Sequence, residues 1–340
     1  MRKLITFCIF GLTFIIIGCK QPNKEYIFIE GFTQGGSFHI KYQPNPDSIP
    51  VQEIYKLLNA ISASLSIYDS SSIISRINRN DSTVEPDRYF IEIFRNSYKI
   101  YQQTDGAFDI TVAPLVRYWG FLPKDTMIKN SQTIDSLLQY VGMHKVHLKE
   151  NKIIKDYPQI QFDVNAIAQG YTVDKLAMLL ESKKIKNYMV EVGGEVKVKG
   201  VNPNGEKWKV GVDKPIENSD ETNRELQTIL SITDISLATS GSYRKFVELN
   251  GTKYSHTINP HTGYPTHHHL LSATILSKSC TDADALATAI MVMGLEKGKQ
   301  FILENKLSAF LIYSEDSGKL KTWMTNDLKN NIASIESQKP

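Results

Sequence analysis

The sequence predicts an α+β fold, on three observations. In the N-terminal half apolar residues recur at helical spacing, as in Ile54, Leu57, Leu58, Ile61 and Leu65. From Tyr188 onward they fall instead in short runs of strand length. The two kinds of segment never settle into the strand–helix–strand alternation of a parallel sheet.

In chain order, Phe28–Tyr42 alternates in places and contains Gly35-Gly36, which predicts a strand or hairpin. Val51–Leu65 and Phe90–Tyr101 each carry one apolar helical stripe, and Thr133–Tyr140 is a short helix. Residues 166–182 form a helix stopped by the charged stretch 181–187. Strands follow at Met189–Val192, Val196–Lys199, Trp208–Val212, Leu226–Thr233 and Phe246–Leu249, with a polar loop at 216–225. Leu271–Ser277 is a strand feeding a helix that begins near Cys280. Glu296–Asn305 (helix) and Ala309–Tyr313 (strand) close the fold. Neither an internal repeat nor a low-complexity block is present.

Arg2 and Lys3 open the chain, and Leu4–Ile17 is apolar but too short for an ordinary membrane span. The run ends Ile16-Ile17-Gly18-Cys19, which resembles the lipobox of bacterial lipoproteins, where the cysteine carries lipid and becomes the first residue. A plain signal peptide or a membrane anchor shares the apolar run, although the polar sequence from Lys20 argues against an anchor. The expected organisation is a signal peptide at 1–18, a tether at 19–27 starting from lipidated Cys19, one domain at 28–325, and a loose tail at 326–340. Export to the periplasmic side follows, with the lipid expected in the inner membrane. Loss of Arg2 and Lys3 lowers the formal charge from +3 to +1, so no basic excess points to nucleic acid. Of three cysteines only Cys280 remains free of signal or lipid, which excludes an intramolecular disulfide. An apolar content of 41% suffices for a conventional core.

Chemistry concentrates in Cys280–Gly294, CTDADALATAIMVMG. Asp284 and Thr288 stand four residues apart, so a carboxylate and a hydroxyl share one helix face. A hard cation such as Mg²⁺ takes oxygen donors of this kind, often only one or two from the protein. Thr281 and Asp284 equally fit a T-x-x-D capping box, in which Asp284 only starts the helix. Five other segments are dense in Gly, Asp, Ser and His: Leu65–Asn78, Asp105–Phe121, Asp163–Asp174, Val190–Gly200 and Ala238–Pro265. DGAFD at 105–109 reads on its own as a turn entering a strand, Tyr68 as a core tyrosine, and Asp163 as a helix cap. His267-His268-His269 lacks a second ligand cluster and reads as a solvated loop. Gly193-Gly194 suits a tight turn and is no nucleotide fingerprint, since G-x-G-x-x-G is absent.

Taken together and in order, these six segments resemble the ApbE family of FAD:protein FMN transferases from about Gly31 to Tyr313. The resemblance implies an ApbE-like, T-fold-like architecture of two lobes, helix-rich and strand-rich, with FAD in the cleft between them. It implies an Mg²⁺-dependent enzyme that splits FAD and attaches FMN through a phosphoester to a Thr or Ser of another protein, releasing AMP. Asp284 and Thr288 match the family's metal ligands, with the Ala166 carbonyl as the third. The residue matching Asp284 is also thought to take the acceptor's proton. Gln34, Tyr68, Ala107, Phe108, Asp109, Asp163, Gln169, His256 and Ile258 match FAD-contacting positions. The implied acceptors are flavoprotein subunits of membrane redox complexes, such as Na⁺-pumping NADH:quinone oxidoreductase or the Rnf type.

Several positions depart from the family pattern. Gln34 stands where Met commonly contacts flavin, Gln169 replaces a frequent Lys or Glu, Asn259 replaces the Asp of H-x-x-D-P, and Asn165-Ala166 replaces a small or Gly pair. The departures bear on FAD affinity more than on chemistry. Two other activities share the residues: a hydrolase giving free FMN and AMP, and a flavin-binding lipoprotein without chemistry. An intact Asp284–Thr288 pair argues against the latter.

Overall fold

A computed structural model describes residues 25–46, 49–122, 131–216, 225–242, 246–249, 252–329 and 332–333. The signal segment 1–18, Cys19 and most of the tether, the loop 217–224 and the end of the tail, 334–340, lie outside the described residues.

The chain begins with a hairpin of β1 (Ile27–Thr33) and β2 (Gly36–Tyr42). Helices α1 (Val51–Leu65), α2 (Ile73–Asn78), α3 (Arg88–Gln103), α4 (Ala113–Tyr118) and α5 (Ser131–Leu138) follow. A second hairpin, β3 (Val146–Lys149) with β4 (Lys152–Lys155), leads to α6 (Ala168–Ser182). Then come β5 (Tyr188–Val192), β6 (Glu195–Lys199), β7 (Trp208–Asp213), β8 (Leu226–Ile232) and β9 (Ile235–Gly241). The small hairpin β10 (Phe246–Leu249) and β11 (Thr252–Ser255) precedes β12 (Leu270–Ser277). The chain ends with α7 (Cys280–Met293), α8 (Leu295–Glu304), β13 (Ser308–Ser314), β14 (Leu320–Met324), α9 (Asn326–Lys329) and β15 (Ile332–Ala333).

The fold is α+β, built on an antiparallel sheet in the order β1-β2-β5-β6-β9-β12-β13-β14. Period-two alternation divides its side chains between two layers. Phe38, Ile40, Val190, Ala238, Ala273, Ile275, Ala309 and Leu311 face the helices. Val196, Val198, Leu237, Leu276, Phe310 and Ile312 face a smaller sheet of order β15-β8-β7. A further apolar cluster gathers α4, α5 and Ile258.

Helix α7 is apolar on nearly all sides because it is enclosed, packing on β9, β12 and α6. Its start is capped by Ser279, whose side chain accepts the Asp282 amide, so the alternative of Asp284 as a capping residue does not hold. The segment expected as a loose tail departs from that expectation at its beginning. Leu328 of α9 is buried against the smaller sheet, and Ile332–Ala333 pair with Leu230 and Ile229.

Candidate functional site

Helices α6 and α7 meet at Gly170. A Cβ there would lie 2.4 Å from the Cys280 carbonyl oxygen and 2.7 Å from the Asp284 Cβ, so only glycine permits this approach. The contact brings the Gly170 amide to 3.0 Å from Asp284 Oδ2. Gly170 is the third residue of α6, so its amide is one of those that a helix start leaves without an acceptor in the helix. The Asp284 carboxylate takes that amide, and no amide among the described residues donates to the Ala166 carbonyl. Asp284 is 6% exposed. Burial pushes its carboxyl up to about 7, with the Gly170 amide pulling the other way. One turn on, Thr288 Oγ1 lies 2.9 Å from Ser240 Oγ on β9.

This donor set fits a hard cation. It offers a carboxylate with a single protein donor, an unspent carbonyl, and a hydroxyl that can pass its own proton to Ser240. Among the described residues no group of three or more His, Cys, Asp or Glu could serve instead. The three consecutive histidines diverge: His268 Nε2 pairs with the Met291 carbonyl, and His269 lies by Ser314 and Asp316.

The segment 163–172 ties the remaining motifs to this pair. Asp163 donates its amide to the Ile110 carbonyl at 2.7 Å, joining it to the turn after DGAFD, which runs through a single bridge at Val112 into α4 and not into the expected strand. Its Oδ1 accepts the Asn165 amide in an Asx turn, while the cap position of α6 falls to Ile167 with no side-chain cap. Asn165 Nδ2 reaches the Tyr68 hydroxyl at 3.2 Å, and the Tyr68 ring is 64% exposed, open to a flat ligand. On the other side of α6 the Gln169 side chain lies over Gly193 of the β5–β6 turn. Gln34, in the β1–β2 turn, donates Nε2 to Thr172 Oγ1 at 2.6 Å. Gln34, Tyr68, Asp163, Ala166, Gln169, Asp284 and Thr288 are thereby linked through one stretch of chain.

The other expected residues form a second group. Asp109 spends Oδ1 on the Thr111 amide and hydroxyl and Oδ2 on the Met143 amide, and burial holds its carboxyl up at about 6. Ala107 and Phe108 are buried. The DGAFD turn and the Ile258–Pro265 loop lie side by side, with Gly106 under His261 and a cavity of about 340 Å³ between Thr104, Ala107, Asn259, His261, Met293 and Lys297. Ile258 packs beside Trp119 in the α4–α5 cluster. The His256 ring is 6.4 Å from Phe121, edge-on.

Four contributors have no role in the motif reading: Gly170, Thr172, Asp174 and Ser240. Asp174 accepts the Thr281 amide and hydroxyl, the Ser279 hydroxyl and Lys197 Nζ, and so fixes the start of α7 against α6. All four fall inside the segments singled out above, and their density in Gly, Ser and Asp was the available signal.

The family model for the ApbE family matches residues 35–311. An FAD:protein FMN transferase of Vibrio cholerae is 36% identical over 313 residues, covering 89% of this chain and 92% of the relative. One from Escherichia coli K12 is 34% identical over 338 residues, covering 94% of each. The solved flavin transferase ApbE of Vibrio cholerae superposes with a TM-score of 0.80 at 33% identity, over 90% of this chain and 99% of that one. The apo flavinyl transferase ApbE of Pseudomonas stutzeri gives 0.79 at 28% identity, over 92% and 98%. With the whole set of motifs inside the matched span, the chain belongs to the ApbE family.

Proposed function

We propose that this chain splits FAD and transfers the FMN half to a Thr or Ser hydroxyl of another protein, releasing AMP. The observation that carries the reading is the buried Asp284 carboxylate, held by one amide and one helical turn from Thr288. The FMN transferase activity named for its relatives supports the same reading. Asp284, Thr288 and the Ala166 carbonyl would hold Mg²⁺, which when bound screens phosphate charge and orients the phosphate oxygens.

The chain's own groups supply the rest. Tyr68 offers its exposed ring to the isoalloxazine, with Gln34, Asp163 and Gln169 as polar neighbours of the flavin half. Ala107, Phe108, Asp109, His256 and Ile258 complete the FAD contacts, mainly through backbone and shape. The acceptor oxygen bonds to the FMN-side phosphorus as the bond from that phosphorus to the AMP oxygen breaks. The proton released passes to the Asp284 carboxylate. Holding the hydroxyl in line removes much of the entropic part of the barrier.

Cys19 would be the lipid-bearing first residue of the mature protein, anchoring it to the inner membrane on the periplasmic side, near flavoprotein subunits of membrane redox complexes. Cys19→Ser should abolish labelling by a fatty-acid analogue; unchanged labelling would refute the anchor. The activity test combines the protein with FAD, Mg²⁺ and a candidate acceptor subunit, followed by intact mass and AMP detection. The acceptor should gain one FMN mass and accelerate AMP release, and replacing its target Thr by Val should cancel both. AMP release indifferent to acceptor, with no flavinylated product, would make the enzyme an FAD pyrophosphatase.

A further inference from the structure

Strand β1 is the edge of the large sheet, and its two faces differ. Ile27, Ile29 and Gly31 lie opposite Tyr42, Ile40 and Phe38, on the side that packs against the helices. Phe28, Glu30 and Phe32 point the other way, opposite Lys41, His39 and Ser37. Phe28 stacks on His39 at 6.0 Å yet is 54% exposed, and Phe32 is 84% exposed. Among the described residues these are the two phenylalanines most open to solvent. Single exposed apolar side chains are ordinary, but two rings about 13 Å apart along one strand face form a ridge. Tyr55 of α1 brings a third exposed ring to the same edge, its hydroxyl lying over Gly31.

The ridge starts where the chain enters the fold. The Tyr26 ring meets Trp208 edge-on at 6.0 Å, and its hydroxyl donates to the Val201 carbonyl at 2.6 Å, which pins that point to the smaller sheet. Cys19 stands seven positions earlier, so it lies within about 25 Å of Tyr26 whatever course the tether takes. Phe32 lies about 20 Å from Tyr26 along β1.

We infer that the outer face of β1 rests on the bilayer that holds the lipid of Cys19, with the Phe28 and Phe32 rings dipping below the headgroups. The inference rests on the lipid-anchor reading above. Two features set the depth. Glu30 lies between the rings on the same face and would be costly in hydrocarbon. The free edge of β1 carries backbone N–H and C=O groups that need water. The strand therefore stays at headgroup level, while the rings, with no polar group to satisfy, reach beneath it. The β1–β2 turn ends the ridge, and Gln34 ties that turn to Thr172 on α6, so the contact holds the candidate site near the membrane surface.

The test uses the full lipidated protein in vesicles of phosphatidylethanolamine and phosphatidylglycerol, with and without lipid brominated near the headgroup end of its chains. Phe32→Trp places a fluorophore on the ridge, and wild-type protein gives the background of Trp119, Trp208 and Trp323. Leu303→Trp is the control, because Leu303 is 63% exposed on α8, which packs by β13, about 29 Å across the sheet from β1. Brominated lipid should cut the added fluorescence of Phe32→Trp at least about twofold and leave that of Leu303→Trp unchanged. Equal quenching of the two variants, or none of Phe32→Trp, overturns the inference while fatty-acid labelling still shows the anchor intact. Shielding of the Phe32→Trp fluorophore from iodide that grows with protein concentration would give the face to a second copy. Shielding that appears only with acceptor would give it to the acceptor, and either result overturns the membrane contact. Absence of fatty-acid labelling in wild-type protein overturns the anchor reading and this inference with it.

Discussion

Asp174 and Asp284 sit on the two helices that meet at Gly170, yet they are treated in opposite ways. Asp174 collects four donors from β6 and the start of α7: Lys197 Nζ, the Ser279 hydroxyl, and the Thr281 amide and hydroxyl. Asp284, more deeply enclosed, receives a single amide. A carboxylate surrounded by donors is a fastener. One that is buried and supplied by a single amide keeps acceptor capacity for a partner from outside the chain.

Asp284→Asn should have the largest effect and breaks the comparison at its functional end. The amide oxygen of Asn can still accept from Gly170, so melting should stay near wild type, while transfer falls by roughly 10³-fold for loss of the charged donor and proton acceptor. Transfer at the wild-type rate would return Asp284 to a packing role.

Asp109 is the intermediate case, well supplied with donors but enclosed like Asp284. Its folded-state pKa of about 6 lies above the ordinary aspartate value of 3.8, so the folded protein binds this proton more tightly than the unfolded chain. Its contribution is fully present below about pH 4 and is lost as pH rises to about 6. The loss is at most about 3 kcal/mol. Urea denaturation across that range should show a downward slope that Asp109→Asn removes; an unchanged slope in the variant would assign it to other groups.

Asp174→Ala tests the structural end. It strands one ammonium and three neutral donors, and with the side chain 15% exposed some of that loss is recovered by water. A destabilisation of about 2 kcal/mol is expected in urea denaturation. A loss below about 0.5 kcal/mol would mean that water replaces the carboxylate fully.

These contrasts also separate what the sequence discloses from what only folding reveals. Helix α1 was legible residue for residue because one face is buried and the other wet, and apolar periodicity records that directly. Strand β9 was not. It is central, covered by α7 on one face and the smaller sheet on the other, and its ISLATSG uses small residues to let α7 approach. The β3–β4 hairpin turns on Glu150-Asn151, both with positive φ and without the glycine that announces such a turn. In the site, Asp284 and Thr288 were visible through helical spacing. Gly170 and Ser240 act across elements distant in sequence, on contacts that no local spacing encodes.

The smallest effect comes from the two threonines of α7, which repeat the contrast between fastener and donor within one helix. Thr281 gives its amide and hydroxyl to Asp174, whereas Thr288 turns its hydroxyl toward Ser240. A helical threonine hydroxyl commonly donates to the carbonyl one turn back. Thr288 instead pairs across to β9, and giving its proton to Ser240 would leave a lone pair for a cation. Thr288→Val keeps the shape and removes only that neutral ligand, which water can replace. Transfer should fall about tenfold, with much of the loss recovered at high Mg²⁺, and stability should change by less than about 1 kcal/mol. Thr281→Val should do the reverse, costing about 1 kcal/mol in urea denaturation with transfer unchanged, since the amide to Asp174 survives. If high Mg²⁺ fails to restore Thr288→Val, or if Thr281→Val shows the same Mg²⁺ dependence, the hydroxyl of Thr288 has no special claim on the metal.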